Sequence, residues 1–204
     1  MPTQMVYSPH PSIALTIKWI GELKERTGKS LDEWMKFIKK DGPESQQERF
    51  LWLKNDAKLG TNTAHWMAAR SMGKGAEDED PKAYLKKAEQ WVAAMFEKKP
   101  LIRQLFDHAL KQGMALGKDV KVCPCQTMVP FYRNNVFAQL KASTRSRLDL
   151  GLCLRGVPFT KRLTDTGGTA KKDRITHCIA ITSMDDFDAE LMKWWKKAYE
   201  LDAK

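Results

Sequence analysis

The sequence predicts an α+β fold, with a helical N-terminal module followed by helices that flank an antiparallel sheet of four to five strands. Three observations carry this expectation. Apolar residues recur at helical spacing up to Gly117, the period then shortens to two, and a helical period returns after Thr182. Residues 1–72 read as the helical module, 73–80 as a linker and 81–204 as a basic α+β domain.

In the module, Ile13, Ile17, Ile20 and Leu23 share one helical face, and Gly28 supplies a stop. Ser30 and Glu33 have the spacing of a capping box, in which the hydroxyl takes a first-turn N–H and the carboxylate reaches back to the cap. The helix they open carries Leu31, Trp34, Met35 and Ile38 and ends at Asp41-Gly42-Pro43. Ser45 and Glu48 repeat the pattern ahead of Phe50, Leu51 and Leu53. A fourth short helix is expected from a Thr61 cap to about Met72. Residues 73–80 are polar, contain glycine and end in an acidic block, which is linker composition.

Pro81 then occupies a first helical position, where its missing N–H costs nothing. Its helix carries Tyr84, Ala88, Trp91, Val92 and Met95, and a second one from Pro100 carries Leu101, Leu105, Ala109 and Leu110. Residues 147–155 alternate strictly. Leu148, Leu150, Leu152 and Leu154 fall on one face and Arg147, Asp149, Gly151, Cys153 and Arg155 on the other, the pattern of a half-buried strand. Residues 120–123, 128–132, 136–142 and 175–182 are further strands, with Asn134-Asn135 turning between the second and third segments. Ser183 or Asp185 is expected to cap a closing helix that bears Phe187, Leu191, Trp195 and Ala198.

The N-terminus lacks a cationic start followed by an apolar run, and no stretch approaches the ~20 apolar residues that span a bilayer. Four cysteines at irregular positions do not form a secreted disulfide framework. A cytoplasmic protein without membrane association is therefore expected. The net charge of +10 is unevenly spread, since residues 118–174 hold 12 Lys and Arg against 4 Asp and Glu. Such a surface attracts phosphates and acidic partners.

Lys29-Ser30, Trp34, Trp52-Leu53-Lys54, Leu59-Gly60 and Ala64 resemble the small helical bacterial module called domain of unknown function 4287. Phe131-Tyr132-Arg133, Phe137-Ala138, Leu148-Asp149-Leu150-Gly151-Leu152, Thr176-His177 and Ala198-Tyr199 resemble its frequent C-terminal companion, domain of unknown function 5655. The two resemblances imply the two-module architecture, over roughly residues 12–72 and 82–201, and transfer no activity. The second family often has a lysine just before the position of Thr127, where this chain has Gln126.

Phosphate loops, paired-histidine zinc helices and serine nucleophile elbows are missing from the sequence, so a binding role is expected ahead of an enzymatic one, with no cofactor. Cys123-Pro124-Cys125, Cys153 and Cys178 lack the spacing of a structural zinc site, and no metal is expected. The best binding case is an anionic partner, nucleic acid first. Arg133, Lys141, Arg147, Arg155, Lys161 and Arg162 are the phosphate-contact candidates, and Tyr132 and Phe137 the stacking candidates. The alternatives are a small-molecule or catalytic pocket formed by His177, Asp149 and Thr176 near Tyr132, and a protein partner docked on the helical module through Trp66.

Overall fold

The computed structural model describes residues 6–203. The chain divides into two compact units, Pro9–Leu85 and residues 86–203 together with 6–8. Among the described residues, no helix is long and apolar enough to cross a membrane.

The first unit holds α1 (Ser12–Gly21), α2 (Leu23–Thr27), α3 (Leu31–Asp41), α4 (Gln46–Asn55) and α5 (Thr61–Ser71). The single helix expected to carry Ile13, Ile17, Ile20 and Leu23 is broken at Glu22, next to Gly21, whose backbone freedom weakens a helix interior. Both capping boxes are present. Ser30 N–H donates to Glu33 at 2.6 Å while Glu33 N–H donates to the Ser30 hydroxyl, and Ser45 and Glu48 repeat the exchange. Gly60, not Thr61, is the N-cap of α5, and no side chain caps that helix. Leu23, Trp34, Ile38, Leu53, Ala64 and Met67 are buried together, and the Trp34 indole donates to the Thr27 hydroxyl at 2.8 Å. Residues 73–80, read above as a linker, contain a 3₁₀ turn at Ala76–Asp78. Asp78 accepts the Trp66 indole N–H at 3.1 Å, and Glu79 pairs with Arg70 at 2.6 Å.

The unit boundary falls within α6 (Pro81–Phe96). The second unit continues with α7 (Pro100–Met114), β1 (Lys121–Val122), β2 (Val129–Tyr132), β3 (Val136–Ala142), β4 (Leu148–Leu152), β5 (Thr164–Asp165), β6 (His177–Ile181) and α8 (Ala189–Leu201). The strands form one antiparallel sheet in the order β1-β2-β3-β4-β6-β5. The fold is α+β as expected, with the two-residue β5 added beyond the predicted strands. Asp188, rather than Ser183 or Asp185, caps α8 by accepting the Leu191 N–H at 2.9 Å, while Ser183 caps a separate 3₁₀ turn.

Helices α7 and α8 cover one face of the sheet. Leu148, Leu150 and Leu152 of β4, with Leu140, Ile179 and Ile181 beside them, are fully buried against Phe106, Leu191 and Trp195. Gly113 lets α7 approach the rings of Phe131 and Trp195, where a Cβ would collide with both. The far end of α8 is fastened to the β2–β3 turn: Asp202 accepts the Asn135 N–H at 2.7 Å and pairs with Arg174 at 3.0 Å, and its carbonyl accepts from Asn134 at 2.8 Å.

Candidate functional site

The second face of the sheet carries the polar half of each strand's alternation. Because β4 puts its leucines beneath the helices, Asp149 and Gly151 point the other way. Register then fixes their neighbours. Gln139, Gly151, Cys178 and Thr164 form one row across four strands, and Lys141, Asp149 and Ala180 form the next. Two adjoining depressions lie on this face and share Gln139, Thr166 and Ile175. One, of about 370 Å³, is lined by Lys141, Ser143, Arg147, Asp149, Gly151 and Cys178 among others. The other, of about 430 Å³, reaches Met128, Val136, Asp173 and Arg174.

Charge in the first depression is already partly committed. The Asp149 carboxylate accepts from the Ser143 hydroxyl at 2.5 Å and from Arg147 Nη2 at 3.2 Å. Arg147 Nε lies 2.8 Å from the second oxygen, close enough for an ion pair but without hydrogen-bond alignment. Lys141, exposed and directly opposite Asp149, has no ion pair among the described residues. The carboxamide of half-buried Gln139 likewise has no hydrogen-bond partner among them. Burial, followed by the nearby Asp149 charge, pushes the Cys178 thiol up to about 11 against the opposing pull of Arg147.

The six predicted cations divide into two groups. Arg133 is committed to Asp119 at 2.6 Å and lies over the Tyr199 ring at 4.3 Å, and its bond to Asp119 raises its pKa. Asp119 is held below the usual carboxylate range by the Tyr199 hydroxyl and then by Arg133. Arg162 is committed to Asp188, Glu190 and the Asp186 carbonyl. Arg147 serves Asp149. Lys141, Arg155 and Lys161 are exposed and have no ion pair among the described residues. Lys141 alone of these three lines a depression described above.

The predicted stacking pair does not form. Phe131 pairs with Ala138 and Tyr132 with Val136, so Phe137 is the extra residue of a β-bulge. Strict alternation would have placed Phe137 beside Gln139 on the open face. The bulge instead turns it inward, fully buried, edge-on to Phe131 and to Tyr199. Tyr132 is half-buried, and its hydroxyl is pushed up to about 12 by burial and then by Cys123 and Cys125.

The alternative pocket is also taken apart by register. His177 pairs with Leu152 and projects to the covered face, whereas Asp149 lies on the open one. The His177 ring donates from Nε2 to the Val157 carbonyl at 3.0 Å, shares a 2.8 Å bond with the Thr176 hydroxyl, and lies against Phe159. Thr176 is itself buried and accepts the Leu154 N–H at 3.3 Å. This is a hydrogen-bonded core histidine.

All four cysteines are free thiols, and no group of three or more His, Cys, Asp or Glu side chains that could hold a metal ion occurs among the described residues. Burial, then Cys125, pushes Cys123 up to about 12. Sequence reasoning passed over Gln139 and Ser143. The available signal was the alternation of Gln139 and Lys141 with Ala138, Leu140 and Ala142 along one strand.

No curated protein and no solved structure matches the chain. The helix–meander–helix unit that builds the open face coincides with a family pattern that matches residues 92–202, so the chain belongs to the family described as Domain of unknown function (DUF5655).

Proposed function

We propose that the C-terminal unit is a non-enzymatic binding module that holds an anionic partner, nucleic acid first, against the open face of its sheet. The observation that carries this reading is Lys141, without an ion pair among the described residues, beside Gln139, without a hydrogen-bond partner among them, in a depression that the helices leave uncovered. The excess of 12 cationic over 4 acidic residues in 118–174 supports it, because phosphate neutralisation dominates such binding. Arg155 and Lys161 add exposed cations outside the depressions. With Phe137 buried, attachment rests on charge and hydrogen bonds rather than on base stacking. An enzymatic reading is less well supported, since His177 and Thr176 are bonded within the covered face. A cytoplasmic location and the likeness of the first unit to domain of unknown function 4287 belong to the same proposal and rest on sequence.

The test is fluorescence anisotropy of the full chain with labelled single- and double-stranded DNA and RNA across salt. Micromolar or tighter binding with a steep negative salt slope is expected. Replacing Lys141, Arg155 and Lys161 together by alanine lowers that slope by about 0.7 for each single-strand phosphate that is no longer neutralised. No binding at low salt sinks the reading.

A second reading, a protein partner on the helical unit, draws on a groove of about 310 Å³ lined by Leu15, Trp19 and Trp66, with Leu15 69% exposed. Leu15→Asp would abolish capture of such a partner.

A further inference from the structure

We propose that the depression beside Gly151 reads one unstacked base of a bound single strand, with Gln139 as the base-contacting residue and Lys141 on the neighbouring phosphate. This rests on the nucleic-acid reading above and adds a selectivity that charge alone does not give.

A carboxamide presents a donor and an acceptor in one plane, and that pair matches the N6 amino group and N7 of adenine. Gln139 offers both groups, because neither is bonded within the protein among the described residues. Its placement depends on a glycine. A Cβ at Gly151 would lie 3.0 Å from Gln139 Cγ and 2.7 Å from Ile175 Cγ2, so the Gln139 stem and Ile175 occupy the space that a side chain there would need. The Gln139 stem and its carboxamide nitrogen thus lie over Gly151, in the space that a side chain there would fill.

Lys141 follows two residues along the same face of β3, about 7 Å away by the strand rise. The Arg147 guanidinium enters the same depression from β4's leading end, steadied by Asp149. At about 370 Å³, the depression falls in the range of roughly 300–1,000 Å³ typical of small-ligand pockets. It suits one nucleotide unit and is too small for a duplex. None of its lining residues is aromatic, which leaves hydrogen bonding to a base edge as the source of selectivity.

The experiment uses the full chain and short single-stranded DNAs of equal length. One is all thymine and the others carry a central adenine, cytosine or guanine block. Anisotropy is read at low and near-physiological salt, with polyglutamate as a competitor. The adenine strand is expected to bind about tenfold tighter than the rest. Gln139→Leu removes the preference while keeping the salt slope, and Lys141→Ala weakens every strand alike. Thermal melting of each variant confirms that it is folded. Equal affinity of the wild type for all strands, or an adenine preference that survives Gln139→Leu, overturns the base-reading role and leaves the binding module standing. Displacement by polyglutamate with no base preference assigns the depression to an acidic peptide. Absence of binding to any strand overturns both readings together.

Discussion

Lys141 stands directly across the β3–β4 ladder from Asp149, yet the Asp149 carboxylate is engaged by Arg147 and Ser143. Opposite charges facing one another across a ladder normally pair. Here the competing arginine, two residues before Asp149 and just ahead of β4, neutralises the acid, and the lysine keeps its charge for solvent or a ligand. The open face is therefore neither uniformly cationic nor neutral, and Lys141 is an available cation beside a carboxylate that is already committed.

Removing that cation should affect binding without affecting the fold. Lys141→Ala is expected to change stability by less than about 0.5 kcal/mol, as an exposed substitution. It should reduce the salt slope of single-strand binding by about 0.7. Thermal melting and salt-titrated anisotropy measure the two effects separately.

The opposite pattern is expected for His177. Replacing it by alanine leaves the Val157 carbonyl and the Thr176 hydroxyl without their ring partner and opens a space under Phe159. A loss of about 2–4 kcal/mol in urea unfolding follows from the buried Thr176 hydroxyl left unpaired, the part-buried Val157 carbonyl and the cavity. Binding to the open face should persist in the molecules that remain folded. Abolished binding with unchanged stability would restore His177 as a site residue.

Phe137→Ala is likewise a stability variant. Its ring fills the space between Phe131 and Tyr199, and truncation is expected to cost about 3–5 kcal/mol. A surface stacking residue would instead lose affinity while melting normally.

Alkaline pH should weaken the fold through the thiols of Cys123, buried, and Cys178, half-buried. Cys178 sits at about 11 and Cys123 at about 12, both raised above the ordinary 9.0 by burial. Below pH 9 the folded and unfolded chains hold these protons equally, and the stability is fully present. As pH rises further the unfolded chain loses them first, so stability falls through the folded values. Melting temperature against pH should decline above about 9, and less steeply in a Cys178→Ala, Cys123→Ala variant. A decline of equal slope in that variant would show that other groups cause the loss.

Much of the fold was legible because each signal was local. The two capping boxes and the Leu148–Leu152 alternation need only neighbours a few residues apart, and the structure contains them. The site was less legible because it depends on register and on long-range partners. Nothing near Phe137 in the sequence signals the bulge, which arises from pairing with β2. Arg133 and Arg162 resemble free cations until α8 and the residues before it supply Asp188, Glu190 and the Tyr199 ring, while Asp119 closes on Arg133. His177 and Asp149 are fit partners by residue type, but His177 is in phase with the apolar Ile179 and Ile181 while Asp149 is out of phase with Leu148 and Leu150, and the β4–β6 register puts them on opposite faces.

Lysine reactivity reports which face of the sheet meets the partner. Lys193, Lys196 and Lys197 are exposed on α8, which packs on the covered face, whereas Lys141 lies on the open one. Acetylation of the full chain, with and without saturating single-stranded DNA, is followed residue by residue by mass spectrometry. DNA bound on the open face is expected to protect Lys141 and to leave the three α8 lysines as reactive as before. Protection of the α8 lysines with Lys141 unchanged would contradict it.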